Sequence, residues 1–409
     1  MNILSKRSRF ASNPIHEEDD LAERLKRSGR NIIKLSTGDP AVYFPTPKYI
    51  IKAYIEALRE GRTYYSRAEG TEALVDAVSS RYRRMYRIDL NQKDIIVTQG
   101  LSEALYFINS SIIDEGNTAF IFRPYYPAYM SNLYLCGGRC ALGDYDEGRG
   151  WSIDVQKAAA SIKRLKKTSR GKGLKYIIIT NPNNPTGTVL QKKALEDIVS
   201  LANESGLLLI SDEIYDEIIF NNARFTSVSK LAAGIPHMIL NGASKNFDAT
   251  GFRIGFVIIP ESDPQSEKIK EKIGEYAKVR LSSNTPAEFA CAEAMNNVVE
   301  HRRSIRYMVA QISDRVNHAV KLLDENSHID TVRPNGAFYL FPKVDFGRMR
   351  LKDDVDFAKK LLLEESLQVT RGSGFGSPGH IRIVSLAPKK ILEYAIDRIN
   401  QFCIKNSKR

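Results

Sequence analysis

Hydrophobic, often β-branched residues recur in short continuous runs through the middle of this chain, and each run ends in polar or turn-forming residues. The runs with this character are DIIVTQG, TAFIFRP, YIIITNP, LLLISDE and HMILNGASK. Between the first two runs, LSEALYFINSSI has helical periodicity. Continuous apolar runs of this kind are typical of strands that are buried on both faces of a parallel sheet and connected by helices. The pattern therefore predicts an α/β fold.

Unusual polar residues follow the ends of these strands, which is where open α/β sheets bind their ligands. Gly100, Leu101 and Ser102 open the helix after the first run. A helix N-terminus offers N–H groups to an anion, although a serine at such a place is more often only an N-cap. Tyr126 lies between prolines and can either stack on a flat ligand or stiffen its loop. Asn184 lies in NPNNPTG, a turn-forming sequence that also occurs in loops without a ligand.

Carboxylates follow the fourth run, in DEIYDE. Asp212 closes a buried strand, so it either caps the next segment or pairs with a cation, and Tyr215 follows three residues later. This acidic cluster lacks histidines and a fixed ligand spacing, so no metal site is predicted.

Two cations follow the last run, in NGASKNFDATGFRIGF, where Lys245 stands among small residues and Arg253 between two apolar runs. Burying a cation is costly unless an anion pairs with it, so an anionic group is expected here.

One ligand satisfies the whole set of strand-end residues, namely pyridoxal 5'-phosphate. It needs a lysine for its aldehyde, a helix N-terminus and an arginine for its phosphate, a flat side chain for its ring and a carboxylate for its ring nitrogen. Tyr215 and Asn184 can donate to its phenolic oxygen.

Composition narrows the class of protein without changing this picture. The 409 residues are 43% hydrophobic and 26% charged, which is typical of a globular protein with two domains. The net charge of +12 is spread along the chain without a recognisable nucleic-acid-binding module, so no nucleic-acid partner is expected. The four cysteines form neither a metal-ligand set nor a disulfide scaffold, and no apolar stretch is long enough to span a bilayer. These features predict a cytoplasmic protein without a membrane partner.

An ordered series of motifs resembles the class I aminotransferases of fold type I, and among them the archaeal and bacterial alanine aminotransferases. The motifs are LSTGDP, YYSRAEG, NPNNPTG, SDEIYDE, NGASKNFDATGFRIG, RLSSNTPAEFA, PNGAFYLFP and GSGFGSPGHIRIV. The resemblance implies a large cofactor domain over residues 48–310, in which a mostly parallel seven-stranded sheet lies between helices. It also implies a smaller α+β domain made of residues 1–47 and 311–409, and a homodimer with shared active sites.

The same resemblance implies roles for single residues. Lys245 would bond the cofactor and move the proton, Asp212 would pair with the ring nitrogen, and Tyr126 would stack on the ring. Tyr215 and Asn184 would bind the phenolic oxygen. The residues that would hold the phosphate are Gly100, Leu101, Ser102 and Arg253, together with Tyr65 acting on the neighbouring subunit. The substrate α-carboxylate would be bound by Arg382, Asn184 and the backbone of Gly38.

Three departures from the family pattern limit the transfer of roles. Asp248 replaces a small or apolar residue of the lysine motif, and Val75 replaces a frequent arginine, but neither is expected to prevent cofactor binding. Arg280 lies one position away from the arginine with which aspartate-specific relatives bind the substrate side chain. We therefore expect transfer from alanine to 2-oxoglutarate, with an aspartate-preferring or broad-specificity aminotransferase, or a β-elimination lyase of the same fold, as alternatives.

Overall fold

The computed structural model describes residues 3–169, 171–261 and 263–408. In that part of the chain the helices are α1 Asp19–Arg27, α2 Lys48–Arg59, α3 Glu72–Tyr86, α4 Gly100–Ile112, α5 Pro127–Leu135, α6 Val155–Lys166, α7 Lys192–Glu204, α8 Pro264–Arg280, α9 Thr285–Asn296, α10 Val298–Asp324, α11 Asp354–Glu365 and α12 Lys389–Lys405. The strands are β1 Ile33–Lys34, β2 Ile95–Thr98, β3 Thr118–Arg123, β4 Arg139–Asp146, β5 Ser152–Ile153, β6 Leu174–Thr180, β7 Leu208–Asp212, β8 His237–Gly242, β9 Gly255–Ile258, β10 Ile329–Asp330, β11 Tyr339–Leu340, β12 Lys343–Val344, β13 Leu367–Gln368, β14 Thr370–Arg371 and β15 Ile381–Val384.

The main sheet has the strand order β2-β9-β8-β7-β6-β3-β4-β5. Its five central neighbours, from β8 through β4, pair in parallel, whereas β9 runs antiparallel to both β8 and β2. Each of the five apolar runs forms one of its strands, and LSEALYFINSSI forms most of α4, so the α/β prediction is confirmed. The predicted number of seven strands is one too low for the described residues. After β4 the chain turns back through Glu147–Arg149, and the two residues of β5 add an antiparallel edge strand.

Alternate residues of the central strands face two different hydrophobic cores. In β3, Phe120 and Phe122 pack into a core shared with α3, α6 and α7, whereas Ala119 and Ile121 pack into a core shared with α4, α5 and α8. This alternation follows from the two-residue period of a strand. Because both faces are covered by helices, the strands read as unbroken apolar runs in the sequence.

A third core lies outside the main sheet. It joins α10, α11 and α12 to a three-stranded antiparallel sheet of order β11-β15-β14, and β1 pairs in parallel with β13. Residue 310, the expected end of the large domain, falls inside the 27-residue α10. The division into residues 48–310 and the remainder stays a prediction.

The topology brings four strand ends to one edge of the main sheet. Strands β8, β7, β6 and β3 are consecutive neighbours and parallel, so their carboxyl ends lie side by side. The segments that leave these ends carry the residues that the sequence analysis singled out. Among the described residues, none of the helices combines the length and the apolar character that crossing a bilayer requires.

Candidate active site

A cleft of about 270 Å³ opens at this edge of the sheet. The predicted site residues that line it are Gly38, Leu101, Ser102, Tyr126, Asn184, Asp212, Tyr215, Lys245, Arg253 and Arg382. These residues come from segments up to 344 positions apart in the sequence, between Gly38 and Arg382. The structure therefore brings ten of the twelve predicted site residues together, and the remaining two are Gly100 and Tyr65.

Lys245 lies in the turn that follows β8. Its Nζ donates a hydrogen bond of 2.7 Å to the carbonyl oxygen of Gly38. Burial lowers the pKa of Lys245 to about 8, and the positive charges of Arg253 and Arg382 act in the same direction, against the nearby carboxylates. A lysine with a pKa near the ambient pH is partly neutral, which makes its nitrogen available as a nucleophile and as a base.

Asp212 is the last residue of β7 and is only 5% exposed. Its Oδ2 accepts a hydrogen bond of 2.6 Å from the hydroxyl of Tyr129, and its Oδ1 accepts one of 3.2 Å from the backbone N–H of Ile214. Burial raises the pKa of Asp212 to about 6, although these two hydrogen bonds lower it. The Tyr129 hydroxyl also lies 2.7 Å from Oγ1 of Thr180, at the end of β6. These contacts hold a carboxyl group in one orientation at the bottom of the cleft.

Aromatic side chains form much of the cleft wall. Tyr126, the N-cap residue of α5, meets Tyr129 edge to face with ring centroids 5.6 Å apart. Tyr215 shares a hydrogen bond of 2.7 Å with the hydroxyl of Tyr339. Both Tyr126 and Tyr215 therefore offer ring surface and a phenolic oxygen to a flat ligand.

Arg382, in β15, is the most deeply buried cation of the cleft, with 1% of its surface exposed. Its Nη1 donates to Oδ1 of Asn184 at 3.0 Å, and its Nη2 donates to the carbonyl oxygen of Ser36. No carboxylate of the described residues lies within 4.0 Å of it, and its Nε has no hydrogen-bond partner there. Because a buried cation without an anion is costly, this arrangement suits an anionic ligand such as a carboxylate.

Arg253 also lines the cleft, and its exposure differs from the sequence expectation. The sequence predicts that this cation is buried together with the runs on either side of it, but the Arg253 side chain is exposed and its backbone is left-handed, with φ of 59°. Its guanidinium donates to the carbonyl oxygens of Thr250, at 3.0 Å, and Gln99, at 3.4 Å. It needs no buried anionic partner because water already solvates it. The free-energy cost of burying an unpaired cation therefore applies to Arg382 rather than to Arg253.

The start of α4 lies against Arg253. Gly100 has φ of 74°, a left-handed conformation that favours glycine, and a Cβ at this position would displace the Arg253 guanidinium that lies against it. Within the described chain no side chain caps the first turn of α4. The N–H groups of this turn, together with Arg253, form a site suited to a phosphate.

Two residues named in the sequence analysis lie away from the cleft. Tyr65 is 80% exposed, and because its expected target belongs to a second subunit, its role stays a prediction. Arg280, at the end of α8, donates to Oε2 of Glu103 at 2.9 Å and to the carbonyl oxygen of Ala68 at 2.6 Å. It does not line the cleft of this chain, which agrees with its displacement by one position from the arginine of the aspartate-specific relatives.

Sequence reasoning missed several residues that line the cleft or, like Tyr129, hold a residue that does. Tyr129 stands three positions after Tyr126, one helical turn along α5, and this spacing is the signal that could have found it. Tyr339 lies in the motif PNGAFYLFP, in which no spacing or charge marks this tyrosine as a site residue. The N-terminal residues Asn13, Ile15 and His16 also line the cleft, but nothing in their sequence marks them.

Comparison with known proteins agrees with this geometry. Residues 30–399 match the family model described as "Aminotransferase class I and II". An alanine aminotransferase of Mycobacterium bovis is 32% identical over 400 residues, which cover 96% of this chain and 89% of that protein. An aspartate aminotransferase of Thermotoga maritima is 30% identical over 388 residues, with 94% and 95% coverage. The structure of the alanine aminotransferase from Pyrococcus furiosus superposes with a TM-score of 0.92 at 32% identity, covering 98% of this chain and 100% of that one.

The resemblance inferred from the motifs is thereby confirmed, together with the fold-type I architecture. The cleft at the strand ends, the matching family model and the similar chains agree on one conclusion: this chain belongs to the class I and II aminotransferase family, and the protein is an aminotransferase.

Proposed function

We propose that this aminotransferase uses pyridoxal 5'-phosphate to move the amino group of an L-amino acid, preferably alanine, to 2-oxoglutarate. The observation that carries the proposal is the meeting of Lys245, Asp212 and Arg382 around one cleft. This chemistry needs a lysine for the aldehyde, a carboxyl group for the ring nitrogen and an arginine for the substrate carboxylate. The alanine aminotransferases among the similar proteins support the choice of alanine.

The residues of the cleft fit this cofactor. Lys245 would bond its aldehyde carbon, Asp212 would bind its ring nitrogen and Tyr126 would lie against its ring. Tyr215 would donate to the phenolic oxygen. Because Arg382 already occupies Oδ1 of Asn184, the Nδ2 amide group of Asn184 remains as the second donor. The phosphate would be bound by Arg253 and the first turn of α4, namely Gly100, Leu101 and Ser102.

When bound, the cofactor supplies an electron-poor ring that stabilises the negative charge left when the Cα–H bond of the amino acid breaks. Lys245 Nζ receives the proton from that Cα, and its lowered pKa makes the neutral, proton-accepting form available near pH 8. Asp212 stabilises a proton on the ring nitrogen, and Tyr129 and the Ile214 N–H keep the carboxylate oriented for this task. Arg382 binds the α-carboxylate and so fixes the Cα in front of Lys245.

The second substrate poses a separate requirement, because 2-oxoglutarate and glutamate carry a distal carboxylate. The three cations of the cleft, Lys245, Arg253 and Arg382, are assigned to other groups. Among the described residues that line the cleft, the N-terminal segment supplies further donors in Asn13 and His16. Nδ1 of His16 lies 2.6 Å from Oδ2 of Asp19 and donates to it, which orients the ring; Nε2 is then an acceptor in the neutral ring and a donor in the imidazolium. We propose that the imidazolium form of His16, with Nδ1 on Asp19, binds the distal carboxylate through its Nε2–H, assisted by Asn13.

The assembly and location belong to the same proposal. A homodimer would place Tyr65 of one subunit at the phosphate of its neighbour, and its 80% exposure in the single chain leaves it accessible to a partner. The four cysteines of the chain are all free thiols, which supports a reducing compartment and hence the cytoplasm.

A screen of substrate pairs tests the proposed reaction. With 2-oxoglutarate as acceptor, alanine should give a higher kcat/KM than aspartate, because kcat/KM measures differential binding of the transition state. A tenfold preference for aspartate, equal to about 1.4 kcal/mol, would make the protein an aspartate aminotransferase. Amino acid consumed without any 2-oxo acid acceptor would instead indicate elimination chemistry.

The His16 assignment has its own test. His16→Ala should raise KM for 2-oxoglutarate at least about fivefold while KM for pyruvate in the reverse reaction changes less than twofold, because pyruvate has no distal carboxylate. An equal effect on both oxo acids would contradict a role in binding that carboxylate. His318→Ala is the matched control that should change neither value, because His318 lies in α10 outside the cleft and pairs with Glu393.

A further inference from the structure

A buried network of charged and polar side chains connects the two turns that carry Tyr215 and Lys245. We call it the Arg81 cluster, and its members are Arg81 and Tyr86 of α3, Asp216 and Glu217 after β7, Asn246 after β8 and His301 of α10. None of these side chains is needed to bind the proposed cofactor or substrate. The cluster is therefore polar structure that the reaction itself does not explain.

Asp216 forms the first link between the two turns. Its Oδ1 accepts a hydrogen bond of 2.5 Å from Nδ2 of Asn246, and its Oδ2 accepts one of 2.8 Å from Nη2 of Arg81. The hydroxyl of Tyr86 also donates to Oδ2. Asp216 directly follows Tyr215, and Asn246 directly follows Lys245. One buried carboxylate thus fixes the distance between the turn after β7 and the turn after β8.

Glu217 forms the second link. Its Oε1 accepts from Nη2 of Arg81 at 2.8 Å and from Nε2 of His301 at 2.9 Å. The His301 ring in turn stacks on the ring of Phe247, with centroids 4.2 Å apart and an interplanar angle of 25°. Phe247 is two residues beyond Lys245, so this link also holds the turn after β8. Both links converge on Arg81.

Stability alone is a poor explanation for such a cluster. Arg81 is 2% exposed, and its single Nη2 is shared by two carboxylates, while its Nε and Nη1 have no partner among the described residues. Burying two carboxylates and a guanidinium costs desolvation energy, and apolar residues of similar volume commonly replace such groups without loss of stability. What an apolar core cannot supply is a fixed, directional connection between two backbone turns.

We propose that the Arg81 cluster is a positioning device for Lys245: through Asp216–Asn246 and Glu217–His301–Phe247 it holds the lysine turn in register with Asp212 and Tyr215. Its members are positioning residues, because they act through the turns and contact neither substrate nor cofactor. The inference rests on the proposed function in taking Lys245 as the reactive lysine.

Asn246→Ala is the decisive variant, because it removes one link and leaves the Arg81 ion pairs intact. The kcat for alanine transfer should fall about tenfold, on the scale of one charge-assisted hydrogen bond, while KM for alanine changes less than about twofold because Arg382 is untouched. Arg81→Met should lower kcat further, and Arg81→Lys should restore part of it. Arg83→Met is the matched control, since Arg83 lies on the same helix in an exposed pair with Asp89 and should leave both constants unchanged.

A second measurement needs no cofactor. In the apoprotein, the rate of reductive methylation of Lys245 as a function of pH, followed by peptide mass spectrometry, gives the pKa of this lysine. A looser turn admits water, so the midpoint in Asn246→Ala should rise by about half a unit or more toward the ordinary value. The groups facing Lys245, namely Asp39, Asp212, Arg253 and Arg382, are the same in every variant.

The outcomes separate the possibilities. A lower melting temperature with unchanged kcat and an unchanged Lys245 midpoint would overturn the proposal, because it would show a purely structural role. Wild-type behaviour of Asn246→Ala in both assays would overturn it as well, whether or not Arg81→Met folds. If the cofactor bonds a different lysine, the proposed function fails, but the methylation midpoint still tests whether the cluster sets the environment of Lys245.

Discussion

Arg382→Lys tests how the substrate carboxylate is recognised. In the structure Nη1 and Nη2 of Arg382 are anchored separately, to Oδ1 of Asn184 at 3.0 Å and to the carbonyl oxygen of Ser36. A guanidinium can keep these two anchors and still present two parallel N–H groups to a carboxylate, whereas an ammonium has one nitrogen for all of them. The variant keeps the positive charge and loses at least one charge-assisted hydrogen bond to the substrate.

The loss of one such bond is worth about 1.5–3 kcal/mol, so kcat/KM should fall roughly 10- to 150-fold. Because the α-carboxylate is common to all amino acids, kcat/KM for alanine and for aspartate should fall by the same factor. The assay is the amino-acid half-reaction followed with each substrate, alongside a melting curve. Arg398→Lys is the control, since Arg398 of α12 lies outside the cleft and pairs with Glu365 of α11. A decrease below threefold, or a decrease for only one substrate, would refute the assignment.

Three further predictions concern single side chains. Burial raises the pKa of Asp248 to about 8, so the folded protein retains a proton that the unfolded chain releases above about pH 4, and stability falls as the pH rises from 4 to 8. Asp248→Asn, which also tolerates the left-handed φ of 49°, should therefore raise the melting temperature more at pH 8 than at pH 5, and an equal gain at both would contradict the buried-charge argument. Tyr129→Phe removes a hydrogen bond that orients Asp212 and should lower kcat about 5- to 10-fold, whereas Asp212→Ala should lower it at least about 10²-fold, and the reverse ranking would remove Asp212 from the site. Mixing inactive Tyr65 and Lys245 variants should restore activity to about a quarter of the sites if Tyr65 acts across a twofold dimer. If the subunits of the two variants exchange and no activity returns, Tyr65 acts within its own subunit.

The parts of this fold that were predictable are those in which a residue pattern has one physical solution. Apolar runs such as YIIIT and LLLIS can be buried on both faces only inside a helix-covered sheet, and parallel strands necessarily bring their carboxyl ends to one edge. For that reason the sequence alone places Asp212, Asn184 and Lys245 together at this edge of the sheet. The edge strand Ser152–Ile153 could not, because its two residues carry no pattern and pair only after β4 is in place.

The exposure of single side chains was harder to predict. Arg253 and Arg382 both stand between apolar neighbours in the sequence, yet the first lies at a left-handed turn in solvent and the second is in a strand covered by Tyr339 and Phe375. The residues next to a side chain in the sequence do not determine which distant segments of the chain pack against it. The same limit explains why His16 was missed, since its place in the cleft depends on how the N-terminal segment packs against distant parts of the fold.

Identifying the lysine to which the cofactor bonds tests directly whether that residue is Lys245. The protein is purified with pyridoxal 5'-phosphate, reduced with borohydride, digested and mapped by mass spectrometry, with Lys230, at the end of the Val228–Lys230 turn, as an internal reference for nonspecific modification. The peptide containing Lys245 should carry the reduced cofactor stoichiometrically, and the Lys245→Ala variant should carry none. Stoichiometric attachment to any other lysine, or full turnover by the Lys245→Ala variant, would contradict it.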